Sequence, residues 1–245
     1  MVILRSILFF IYFTLITIVI FIGCLPALMM PRHAAVHASR AWSRLTLWGL
    51  KYLAGLDYEV RGKIPTDGVL IASKHMCLWD SLALYLVLYD PAAVLKRELL
   101  NIPFYGWYIN KAGVIAIDRG GHASALRKMA AEARAAFASG RSVLIFPEGT
   151  RKAPDATPDY KPGVAGLYGQ LDAPCVPVAL NSGVFWTGWM GLIKKPGKIV
   201  LEFLEPIPPG LKRQEFMATL QERIETTTSK LVAEGRRLLA REGAL

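Results

Sequence analysis

From Ser6 to Pro31 the chain carries no charged residue, and the run SILFFIYFTLITIVIFIG within it is apolar almost throughout. A bilayer core needs roughly 20 apolar residues in helix, so this run predicts a membrane-anchoring helix. A signal peptide is the rival. Arg5 can serve as its basic region, and Phe21-Ile22-Gly23-Cys24 has the look of a lipoprotein cleavage site with Cys24 as the lipidated residue. Over residues 34–54 the pattern becomes amphipathic. Trp42, Leu45, Trp48 and Tyr52 recur at helical spacing, with Arg40, Arg44 and Lys51 elsewhere on the wheel. Such a helix either lies in the membrane interface with Trp at headgroup depth or packs on the domain that follows. Arg32, Arg40, Arg44 and Lys51 follow the apolar run and only Arg5 precedes it. The positive-inside rule therefore puts the C-terminal body on the cytoplasmic face of the inner membrane.

From about residue 57 short β-rich runs alternate with helical ones. Strands are predicted at 69–72, 93–95, 114–117, 143–146, 176–180 and 199–203, and helices near 80–89, 98–111, 122–138, 162–171 and 211–242. This alternation implies an α/β fold, a mostly parallel sheet covered by helices. No repeat, linker or low-complexity block divides it. The expected organisation is an N-terminal membrane anchor over 1–56 and one catalytic domain over 57–245. The Pro- and Asp-rich stretch 152–160 reads as its loosest loop.

Composition narrows the function. A hydrophobic content of 53% and a mean hydropathy of +0.34 exclude disorder. Cys24, Cys77 and Cys175 are odd in number and widely spaced, which excludes a disulfide-stapled module. His33 and His37 stand four apart with no acidic or cysteine partner, so solvated helix residues are the better reading and no metal is expected. A net charge of +10 on so apolar a chain points to an anionic membrane surface. The basic residues are dispersed, without a recognition helix or an aromatic stripe, so nucleic acid is not an expected partner. No phosphate loop, dinucleotide fingerprint or serine-hydrolase elbow is present.

What remains is Ser73-Lys74-His75-Met76-Cys77-Leu78-Trp79-Asp80, directly after a buried-looking strand. On one regular helix His75 and Asp80 would point about 140° apart. They meet if His75 ends the strand and Asp80 sits in the first turn of the next helix. An imidazole oriented by a carboxylate suits a general base that activates a substrate hydroxyl. A capping Asp beside a satisfied His is the bland alternative. Cys77 offers a thiol nucleophile, but a two-residue separation points its side chain away from His75. Two more strands end in charge, at Asp118-Arg119 and at Pro147-Glu148-Gly149-Thr150-Arg151. The carboxyl edge of such a sheet is where ligands bind, and Gly, a hydroxyl and Arg together make a plausible anion cradle.

His75-x4-Asp80, GVIAIDR at 113–119, FPEGTR at 146–151 and CVPVAL at 175–180 resemble, in order, the four blocks of the glycerolipid acyltransferases. The chain is most similar to the 1-acyl-sn-glycerol-3-phosphate, or lysophosphatidate, acyltransferases over roughly residues 60–210. Met76-Cys77 stands where that family often has Gln-Ser, and Lys74 fits. The resemblance implies that fold type and a membrane-bound enzyme of phospholipid biosynthesis. His75 would deprotonate the sn-2 hydroxyl of the lysolipid and Asp80 would hold its tautomer. Arg119, Glu148, Gly149, Thr150 and Arg151 would hold the phosphate and glycerol, with Lys96 as a further phosphate contact and Pro177 shaping the acyl-donor side. The partners implied are lysophosphatidate, membrane lipids and an acyl thioester on coenzyme A or acyl carrier protein. The donor is a substrate, and no bound cofactor is implied. Another lysophospholipid, a lyso-aminolipid or glycerol 3-phosphate is the alternative acceptor. A non-catalytic basic membrane-binding module is the alternative of a different class.

Overall fold

The computed structural model describes residues 1–66, 68–118, 122–187 and 191–241, and every predicted strand forms within two residues of its expected place. In chain order the elements are α1 (Val2–Gly23), α2 (Arg32–Gly49), β1 (Leu56–Arg61), β2 (Leu70–Ser73), α3 (Leu78–Val87), β3 (Ala92–Lys96), α4 (Tyr105–Lys111), β4 (Ile115–Ile117), α5 (His122–Ala138), β5 (Val143–Ile145), α6 (Gly163–Leu171), β6 (Cys175–Leu180), α7 (Ser182–Phe185), β7 (Trp186–Thr187), β8 (Ile193–Lys194), β9 (Gly197–Phe203) and α8 (Arg213–Arg241). Seven strands make one sheet in the order β1-β9-β6-β2-β5-β3-β4. Only β6 and β9 pair antiparallel, so β1 and β9 run against the other five.

Side chains alternate across a strand, and both faces of the central strands are apolar, so helices must cover both. Leu70, Ala72, Val143 and Ile145 pack with α5, α6 and α8. Ile71 and Leu144 point the other way, into a core shared with α3, α7 and Phe9 of α1. β1 was not expected, because Asp57, Glu59 and Arg61 break its apolar pattern. It is an edge strand, where charges deter pairing with a further strand. The helix expected at 98–111 divides into a 3-10 turn, Arg97–Asn101, and α4. Pro103 lies at the break, and Phe104 has a φ of +61° that no helix tolerates.

The expected boundary at 56/57 coincides with the start of β1 but does not separate two bodies. α1 lies against the rest of the molecule along its length. Ser6 bonds to both the carbonyl and the N–H of Lys194, and the Tyr12 hydroxyl donates to the Leu45 carbonyl. Further along, Trp42 Nε1 donates to Thr17 at 2.9 Å and the Tyr108 hydroxyl to the Phe21 carbonyl at 3.0 Å. α2 resolves into two faces. Trp42, expected outward as readily as inward, is buried with Phe21, Leu82 and Tyr108, while Leu45, Trp48 and Tyr52 are exposed. Three of the basic residues counted for topology are committed within the protein. Arg32 pairs with Asp90, Lys51 pairs with Asp57, and Arg40 donates to the Tyr85, Leu86 and Tyr89 carbonyls that end α3. α1 has 22 residues, and beyond Arg5 its exposed side chains are apolar except Thr14. By length and composition it can cross a membrane.

Candidate functional site: a histidine–carboxylate pair above an apolar cavity

β2, β5, β3 and β4 are mutually parallel neighbours, so the charged segments that follow them emerge at one edge of the sheet. β2 ends at Ser73, and two residues later His75 turns out of the sheet before α3 begins. Asp80 occupies the first turn of α3, so the pair is joined across a strand–helix corner. His75 Nδ1 lies 2.9 Å from Asp80 Oδ2. The same oxygen accepts the backbone N–H groups of Met76 at 2.6 Å and Cys77 at 2.9 Å. Its other oxygen accepts the Ser182 hydroxyl at 2.5 Å. Asp80 is therefore both the helix cap and the partner of the imidazole, and the two readings weighed from sequence coexist. Its carboxylate is fully buried and Ser182 is too.

A carboxylate oxygen accepts, so Nδ1 is the donor in the bond to Asp80 and Nε2 keeps its lone pair. The His75 side chain is 13% exposed. Its ring stacks on Phe146, with centroids 4.0 Å apart. An imidazole so held can take a proton at one defined nitrogen, and the carboxylate behind it stabilises the cation that results. Cys77 cannot compete as a nucleophile. Burial, and after it the Asp80 charge, push its thiol well above the usual range, so the thiolate is suppressed.

Under the base lies a buried ionic cluster. Lys74 Nζ donates to Glu148 Oε1 at 2.7 Å and to both oxygens of Glu225, at 2.8 and 3.1 Å. The other Glu148 oxygen accepts the His75 N–H at 3.2 Å, and Tyr160 donates to Glu225. Burial raises the Glu148 carboxyl against the pull of Lys74, so the lysine is what keeps a charge there. Glu148 was expected in the substrate cradle. The structure turns it inward, where both oxygens are engaged, and it supports the backbone of the base instead.

The rest of that turn does face outward. Gly149, at a φ of +65° that favours glycine, reverses the chain so that Thr150 and Arg151 are exposed. The Arg151 charge reaches Tyr105 of α4, whose phenol burial pushes up. Lys96 ends β3, exposed, opposite Ile117 of β4. Arg119 lies outside the described residues. Pro177 is buried inside β6 opposite Ala72, away from the edge where His75 and Arg151 emerge. Ser182 and Glu225 were missed, since 102 and 151 residues separate them from the side chains they bond. A Ser two residues past the end of a buried strand is the only local signal Ser182 offers.

Beside the base an apolar cavity opens between the sheet and the helices. It runs from Phe146 and Leu78, next to the imidazole, past Leu144 and Leu95 to Tyr105 and Tyr108 of α4 and to Phe21 and Trp42 of α1 and α2. Among the described residues no cluster of His, Cys, Asp and Glu is suited to a metal ion.

This is an α/β protein with a carboxylate-held imidazole at the carboxyl edge of a parallel sheet, stacked on Phe146 at the wall of an apolar cavity. The family model described as Acyltransferase matches residues 57–181. A 1-acyl-sn-glycerol-3-phosphate acyltransferase of Pseudomonas aeruginosa is 34% identical over 197 residues, covering 79% of this chain and 76% of that protein. The chain belongs to the acyltransferase family. A lyso-ornithine lipid O-acyltransferase of the same organism is 29% identical over 202 residues, covering 74% of this chain and 77% of its own. The crystal structure of the 1-acyl-sn-glycerophosphate (LPA) acyltransferase PlsC from Thermotoga maritima superposes with a TM-score of 0.76 at 22% identity, over 93% of this chain and 96% of that one. That likeness is one of fold.

Proposed function

We propose that this enzyme moves an acyl chain from a thioester, on coenzyme A or acyl carrier protein, to the sn-2 hydroxyl of 1-acyl-sn-glycerol 3-phosphate. The observation that carries the reading is the His75–Asp80 pair, its imidazole stacked on Phe146, which lines an apolar cavity. Nε2 takes the proton of the acceptor hydroxyl as its oxygen attacks the thioester carbonyl. The tetrahedral intermediate expels the thiolate, which recovers the proton from the imidazolium. One ester forms, one thioester breaks, and no acyl group rests on the protein. Thr150 and Arg151, with Lys96 at the end of β3 and with Arg119, receive the acceptor phosphate by charge-assisted hydrogen bonds.

α1 supplies the contact with lipid. Because both of its ends bond to the body, it lies along the molecule, submerged in the cytoplasmic leaflet of the inner membrane rather than crossing it. A crossing helix would leave the body on one side and could not keep both the Ser6–Lys194 and Phe21–Tyr108 contacts. The acceptor then reaches the cavity from the leaflet. The lyso-ornithine lipid relative supports a second reading, with the same chemistry on a lyso-aminolipid. Thiol release by purified protein, offered a panel of lysolipids with each donor, separates the two. Phosphatidate as the product from lysophosphatidate is expected. Turnover of an aminolipid and none of lysophosphatidate overturns the assignment of the acceptor.

A further inference from the structure

The cavity beside His75 is apolar except along one wall. Ser39 and Ser43 stand one turn apart on α2, and Ser81 and Tyr85 one turn apart on α3, and all four line it. Ser39 and Ser43 are at least nine-tenths buried. The Tyr85 hydroxyl is buried with no hydrogen-bond partner. Burial pushes the Tyr85 phenol up to about 12, so it stays a neutral donor.

An unpaired hydroxyl is costly in so dry a place, and a cavity meant for methylene groups alone has no use for one. A plain hydrocarbon chain would leave it unsatisfied. A chain bearing an oxygen at the right depth would pair it. Such polar matching discriminates more sharply than methylene packing does.

We infer that this wall selects an acyl chain carrying a hydroxyl group, and that Tyr85, with Ser43 of α2 on the same wall, determines the preference. The inference rests on the acyl-transfer reading above. Leu78 begins α3 three residues after His75, and Tyr85 lies seven residues further along the helix, about 10 Å at the helical rise. The favoured hydroxyl is therefore well inside the chain rather than next to the carbonyl.

The chain can belong to the thioester or to the lysolipid, so the test has an arm for each. Thiol release is measured with donors of equal length, plain or hydroxylated at successive positions, against a plain lysolipid. The reverse arm uses a plain donor with hydroxylated lysolipids. The wild-type enzyme should favour one interior hydroxyl position over the plain chain by about ten-fold in kcat/KM, the worth of one net hydrogen bond. The arm that shows the preference identifies the source of the chain. Tyr85→Phe and Ser43→Ala should each reduce that ratio toward one. Equal or better use of the plain chain against every hydroxyl position in the unaltered enzyme overturns the inference. So does a ratio that neither variant changes. Loss of turnover with plain and hydroxylated chains alike would instead remove the acyl-transfer reading on which it rests.

Discussion

Ser182→Ala removes the donor to Asp80 Oδ1 and leaves that oxygen facing only the Cys77 sulfur at 3.7 Å. Asp80 is fully buried, so water cannot replace the lost partner. A charge-assisted bond of this kind is worth about 1.5–3 kcal/mol. In stability, that lowers Tm by roughly 3–12 °C for a chain of this size. In catalysis the same bond fixes the carboxylate that orients the imidazole and stabilises its cation. If its full strength is used in the transition state, kcat falls by roughly ten- to a hundred-fold. KM should hold, because Ser182 sits behind the carboxylate, on the far side from the acceptor. The assay is steady-state thiol release for the single variant, for Asp80→Asn, and for the double variant. Once the carboxylate is an amide, the serine has little left to orient, so its removal should cost almost nothing more. An equal loss from Ser182→Ala on both backgrounds would refute the positioning role. A fall in Tm with unchanged kcat would refute it as well.

Cys77→Ser should keep near-normal turnover and abolish any sensitivity to thiol reagents at this position. Serine is also the better cap for α3, so Tm should hold or rise. Arg151→Ala should lose roughly ten- to a hundred-fold in kcat/KM with a phosphate-bearing acceptor and far less with monoacylglycerol, since only the former needs the charge. Equal losses on the two acceptors would remove Arg151 from the phosphate site. Lys194 is buried over the rings of Phe9 and Trp186, and burial lowers its ammonium from 10.5 to about 8. The unfolded chain holds that proton to higher pH, so stability gains as pH rises from about 8 to 10.5. The gain is about 3 kcal/mol at 1.36 kcal/mol per pKa unit. Lys194→Met should lack this rise, and the Tm gap between variant and wild type should change by several degrees between pH 7.5 and 10. A gap independent of pH would contradict the buried-ammonium account.

The sheet was legible because its strands are short, apolar on both faces and bounded by turn residues, and five of them run the same way. β1 was not, because an edge strand carries the charges that keep it unpaired. The His75–Asp80 pair could be read from a five-residue spacing across a corner, since both partners are local. The groups that hold the pair in place could not. Ser182 arrives from the end of β6 and Glu225 from the middle of α8, and nothing near either residue reports the carboxylate or ammonium it meets. Glu148 was misassigned for the same reason. Beside Gly149, Thr150 and Arg151 it reads as one more cradle residue, and only Lys74 behind it explains why it turns inward. The apolar N-terminal run was readable as one long apolar helix. Its attitude depends on Ser6, Tyr12, Thr17 and Phe21 meeting partners in α2, α4 and β8, and hydropathy carries no trace of that.

The central claim is that His75 acts as a base on the acceptor and that no acyl group is ever carried by the protein. The most direct measurement is the time course of thiol release from the acyl donor, recorded first without lysophosphatidate and then after its addition, for the wild type and for His75→Ala. The wild type should show no burst of thiol before the acceptor arrives and steady release afterwards, with the variant slower by roughly 10²–10⁴. A stoichiometric burst without acceptor, or near-normal release by His75→Ala, would contradict the account.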